Sequence, residues 1–65
     1  MQRGTVSRFD ERRGLGTIVG RDGTTYEFHV IEIADGTRTI DVGREVVFDR
    51  LPRFGRIEAG RIEKL

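Results

Sequence analysis

The 65-residue sequence predicts an all-β fold, with five short antiparallel strands curled into a small closed or nearly closed sheet. Three observations carry this expectation. Nine glycines and one proline cut the chain into short β-prone runs, no stretch holds a long helical period, and Asp22–Gly23 sits between two alternating runs where a tight hairpin turn belongs.

The first strand is expected over about Arg3 to Asp10 and is closed by the turn Glu11–Arg12–Arg13–Gly14. The second covers about Leu15 to Arg21 and the third about Thr24 to Val30; Gly23 supplies the positive φ that lets them pair as antiparallel neighbours. The segment from Ile31 to Gly43 is too long for a hairpin and reads as a crossing with a short helical turn near Ile31 to Ala34, which permits a Greek-key return. The fourth strand is placed over about Glu45 to Leu51 and the fifth over about Arg56 to Glu63. No repeat, linker or low-complexity tract interrupts them, so residues 1–65 read as one domain.

Alternation assigns the faces of these strands. Tyr26, Phe28 and Val30 fall on one side of the third strand and Glu27 and His29 on the other. In the second, Ile18 points inward between Gly16 and Gly20 while Leu15, Thr17 and Val19 point outward. Val6, Val46, Phe48, Ile57, Ala59 and Ile62 complete the expected core, with a bulge or sharp bend at Gly60 where the fifth strand breaks alternation.

Composition narrows the function classes. Without cysteine the chain has no disulfide or thiolate metal site, which fits a reducing compartment and makes the cytoplasm the expected location. Its apolar runs are too short to cross a bilayer, no signal-peptide pattern opens it, and a membrane role is not expected. One histidine and singly scattered carboxylates make neither a metal cluster nor an acid–base pair, so no enzyme, cofactor or small-molecule substrate is expected. Net charge is only +1, but the cations are eleven arginines and one lysine. Arginine forks onto phosphate and stacks on bases, which favours a nucleic-acid partner; genomic composition bias gives the same skew.

The run Arg13–Gly14–Leu15–Gly16–Thr17–Ile18, followed by Tyr26–Glu27–Phe28–His29, resembles the two signature runs of the bacterial cold-shock domain family. The spacing is ungapped from Met1 to about Val30, and Gly4, Val6, Phe9, Asp22, Gly23, Ile33, Gly36, Ile40, Gly43, Val46 and Phe48 add landmarks in order; beyond Asp49 the likeness is loose. The resemblance implies a five-stranded antiparallel Greek-key barrel of the oligonucleotide-binding (OB-fold) type, binding single-stranded RNA or DNA on the outer face of its second and third strands.

The departures fall on that face. Arg8 stands where the family has a tryptophan, Leu15, Thr17 and Glu27 where it has platform phenylalanines, and Val30 and Thr37 at two further aromatic positions. Base stacking on an aromatic side chain contributes roughly 1–3 kcal/mol, so losing three platforms weakens a complex by about three orders of magnitude or more. Glu27 also places a negative charge where a phosphate backbone would pass.

The expected nucleic-acid-binding set is therefore Arg8, Phe9, Arg13, Leu15, Thr17, Glu27, His29 and Arg56, with Arg3 and Arg53 also on the rim. Phe9 and His29 are the family's contact residues still present; alternatively Phe9 half-buries at the barrel end and His29 pairs with Glu27 or Asp10. Gly14 and Gly16 either admit a ligand backbone or relieve crowding. Phe54, in a basic loop, is either a replacement platform or a cover over the core. The competing reading is a module for a protein partner or a second copy of the chain, on a small apolar patch of Leu15, Val19 and Val30.

Overall fold

The computed structural model describes all residues from Met1 to Leu65. Five strands form, β1 (Gln2–Asp10), β2 (Leu15–Gly20), β3 (Thr25–His29), β4 (Glu45–Arg53) and β5 (Arg56–Lys64), with a 3₁₀ turn at Val30–Glu32. All ladders are antiparallel and the order across the sheet is β3-β2-β1-β4-β5. β1 to β3 thus form a meander, the chain returns so that β4 lies beside β1 in the Greek-key manner, and β5 curls round against β3. This is the all-β, five-stranded antiparallel barrel that the sequence predicts. No helix is long and apolar enough to cross a membrane.

The β2–β3 turn forms as its residues dictate. Gly23 takes φ 87, its N–H donates to the Gly20 carbonyl at 3.0 Å, and Asp22 Oδ1 accepts from the Thr24 N–H at 3.0 Å. The Thr24 N–H and hydroxyl together hold the Asp22 carboxyl below its ordinary pKa.

The core comprises Val6, Ile18, Tyr26, Phe28, Ile33, Ile40, Val46, Phe48, Ala59 and Ile62. Tyr26 and Phe48 meet edge to face with centroids 5.0 Å apart. Ile33 and Ile40 anchor the long crossing from within, in a segment with no alternation to announce them, and Ile33 bridges β5 at Ile62.

Two bulges decide which residues face inward. In β1 the register slips between Val6 and Arg8, leaving Ser7 as an extra residue opposite β2. With Val6 buried, strict alternation would turn Arg8 inward; the extra residue reverses the phase, so Phe9 packs against the core and Arg8 is exposed. In β5 the slip lies opposite the Val47–Asp49 interval and Arg61 adopts φ 52. That bulge, expected at Gly60, falls at Arg61–Ile62 and returns Ile62 to the interior.

Two core assignments require correction. Ile57 is 38% exposed, and its neighbour Glu58 is buried instead, because β5 is covered on its outer side where it closes against β3. Val30 leaves the strand for the 3₁₀ turn and is only half-buried, packing against the core's edge.

Candidate nucleic-acid interface

Register places the candidate residues in rows. Arg8 lies opposite Thr17 and Thr17 opposite Glu27, so these three side chains share the outer face across β1, β2 and β3. Arg56 extends the row from β5, its Nη1 donating to Glu27 Oε1 at 2.8 Å. A second outer row runs Asp10, Leu15, His29. His29 Nε2 is 3.8 Å from Glu58 Oε1, too long for a hydrogen bond, so the neighbour of the histidine is Glu58 and neither Glu27 nor Asp10.

Between these outer rows lies an inner one. Phe9 is opposite Gly16, and Gly16 opposite Phe28. The two rings stack nearly parallel, 8° apart with centroids at 6.3 Å. A Cβ on Gly16 would sit 2.4 Å from Phe28 Cζ and 2.8 Å from the Arg8 carbonyl oxygen, so the glycine relieves crowding. Phe9 is accordingly half-buried, packed against the core.

A shallow cleft of about 530 Å³ opens beside these rows, walled by Arg8, Phe9, Arg12, Arg13, Leu15 and Thr17 together with Asp10, Glu11 and Glu27. Its charges are partly matched. Arg13 Nε is 3.9 Å from Asp10 Oδ2 and Arg56 engages Glu27, whereas Arg8 and Arg12 have no carboxylate within 4.0 Å. The lining itself is balanced, three guanidinium groups against three carboxylates, and Arg56, reaching Glu27 from outside the cleft, adds one positive charge. The Arg56 pair also changes the part played by Glu27, because its charge is already compensated by a neighbour within the face.

Two rim arginines are not brought to this cleft. Arg3, at the far end of β1, donates to Glu45 of β4 at 3.2 Å. Arg53 lies 3.7 Å from Glu32. The apolar patch is likewise divided: Thr17 separates Leu15 from Val19 along β2, and the Val30 methyl groups lie over Gly14. Sequence reasoning missed Glu58, whose burial comes from barrel closure and leaves no local signal. No three His, Cys, Asp or Glu side chains converge as a metal site would require.

Among proteins of known family, cold shock protein 2 of Lactiplantibacillus plantarum is 42% identical to this chain over 50 residues, covering 75% of the chain and 76% of the relative. The chain belongs to the cold-shock protein family. Cold shock protein 1 of the same organism is 40% identical over a span of equal coverage. No family model matches the chain. Membership agrees with the Greek-key barrel, and it makes the row Arg8–Thr17–Glu27 a variation on a cold-shock sheet, with arginine, hydroxyl and carboxylate on strands that present aromatic platforms in the family pattern described above.

Proposed function

We propose that this cold-shock family member is a single-domain, non-catalytic binder of single-stranded RNA or DNA, acting as a nucleic-acid chaperone or a regulator of transcription or translation. The ligand lies across the outer face of β1 to β3. Arg8, Arg12 and Arg13 take phosphates, Phe9 and His29 touch bases at its edge, and Leu15 and Thr17 form a smooth floor.

The observation that carries this reading is the outer row Arg8–Thr17–Glu27–Arg56, in which the carboxylate in the middle of the face is already matched by an arginine. An approaching phosphate can exchange with Glu27 for the Arg56 guanidinium, so the pair opposes binding far less than a bare carboxylate would. With a small positive surplus and few stacking platforms, binding is modest, mainly electrostatic and weakly selective for sequence.

Titration of labelled oligothymidine and of a mixed-sequence RNA at low and moderate salt tests the proposal. Affinity is expected to fall steeply with salt for both, and Arg8→Ala to weaken both and reduce the salt slope by about 0.7, the value for one lost phosphate contact on a single strand. Absence of binding to either oligonucleotide at low salt overturns it.

A further inference from the structure

The tip of the β4–β5 hairpin joins two features that each cost stability. Phe54 is completely exposed, at 103% of its reference area, and it occupies the left-handed region with φ 47; Gly55 follows with φ 83. Positive φ at both central positions marks the mirror-image two-residue turn that suits the twist of a hairpin, and its first position favours Asn, Asp or Gly. A phenylalanine there strains the backbone and leaves a large ring in water. No packing compensates, since Phe54 belongs neither to the core cluster nor to either aromatic pair.

The surroundings of the ring indicate its partner. Arg53 and Arg56 face each other across the neck of the turn. Arg56 is the residue that reaches Glu27, so the hairpin neck adjoins the outer row Arg8–Thr17–Glu27 at its β3 end. The row therefore leads from Arg8 across the sheet to Arg56 and on to an unpacked aromatic ring two residues away.

We propose that Phe54 is a base-stacking platform in the β4–β5 turn: a single strand crossing β1 to β3 continues past Glu27, gives a phosphate to Arg56 and stacks a base on the Phe54 ring. This rests on the reading of the β1–β3 face given above. A nucleobase suits the site because its π-face matches the ring and its backbone charge matches the flanking guanidinium groups. In effect the ring supplies at the hairpin tip a stacking contact that Leu15, Thr17 and Glu27 do not supply on the sheet.

Two variants test it. The chain has no tryptophan, so Phe54→Trp introduces a single reporter, whose emission is expected to be quenched by a long oligothymidine and unchanged by one short enough to occupy the β1–β3 face alone. Phe54→Asn places a favoured residue in the turn; its thermal midpoint is expected to rise, while affinity for the long oligothymidine falls at least about 5-fold and affinity for the short one is unchanged. Long-oligonucleotide binding by Phe54→Asn equal to that of the parent, or indole emission from Phe54→Trp that responds to anionic phospholipid vesicles and not to oligothymidine, overturns the proposal for Phe54 and leaves the β1–β3 face standing. A parent chain that binds neither length overturns both.

Discussion

In the inner row Phe9–Gly16–Phe28, the middle position has no room for even one carbon, because the Phe28 ring and the Arg8 carbonyl oxygen close over it. One residue along, the outer row Arg8–Thr17–Glu27 faces solvent at both ends and is organised by charge, with an ion pair reaching in from β5. The same three strands carry both. The inner row is fixed by packing, which tolerates few alternatives, while the outer row can be exchanged residue by residue with little effect on the fold. This separation lets a cold-shock barrel persist on a face from which the aromatic platforms are missing.

The double exchange Arg8→Phe with Phe9→Arg attacks the boundary between the rows and should have the largest effect. With the bulge at Ser7 fixing the phase, it places a guanidinium at the inward position beside Phe28 and a ring on the outer face. A guanidinium forced into a half-buried apolar site costs up to several kcal/mol, a large part of the stability of so small a domain. The thermal midpoint followed by circular dichroism is expected to fall by about 20 °C or more; a midpoint within a few degrees of the parent's would show that the bulge does not set the phase.

Gly16→Ala perturbs the inner row alone. Its methyl group would collide with both Phe28 and the Arg8 carbonyl, and overpacking of this kind costs about 1–3 kcal/mol. For a domain of this size the thermal midpoint is expected to drop by about 5–20 °C. If Gly16 instead served only to admit a ligand backbone, the variant would melt like the parent and lose nucleic-acid affinity.

Glu27→Gln perturbs the outer row alone. The Glu27–Arg56 pair is two-thirds exposed on both sides, so its loss should change stability by no more than about 1 kcal/mol. Removing the carboxylate frees Arg56 for phosphate, and the proposed interface is expected to bind oligothymidine more tightly at low salt, with a salt slope steeper by up to about 0.7. Weaker binding by Glu27→Gln would mean that the ion pair organises the face and does not compete for it.

The same contrast explains how far the sequence could be read. Strand positions, the Asp22–Gly23 turn, the inward set Ile18, Tyr26, Phe28 and the outward set Leu15, Thr17, Glu27, His29 all follow from a period of two and from turn chemistry, both local properties. The rest depends on contacts between distant residues. Ser7 and Arg61 each reverse a strand's phase without any residue type that marks a bulge. Glu58 is buried on the outer side of β5 because the strand closes there against β3, and Arg56 finds Glu27 twenty-nine positions away. Ile33 and Ile40 are buried in a crossing where no alternation exists to be read. The candidate site was thus legible as a list of residues, while their pairing, which decides the charge of the face, was not.

The smallest predicted effect lies outside both rows. In the long crossing, Asp35 Oδ1 accepts hydrogen bonds from the Thr37 N–H at 3.0 Å and the Thr37 hydroxyl at 2.8 Å, and Lys64 Nζ lies 3.1 Å from Oδ2. These contacts, the Thr37 N–H foremost, lower the Asp35 pKa from an ordinary 3.8 to about 2. The folded state therefore favours the carboxylate, and the stabilisation is fully present above about pH 3.8 and disappears as pH falls through about 2. Asp35→Asn is expected to lower the denaturation midpoint slightly at neutral pH, with the gap to the parent closing across that acid window. The carboxylate is on the surface and well screened, so the gap should also shrink with added salt. A constant difference between the two proteins from neutral pH down to about 2 would assign the effect to the altered turn and not to the charge.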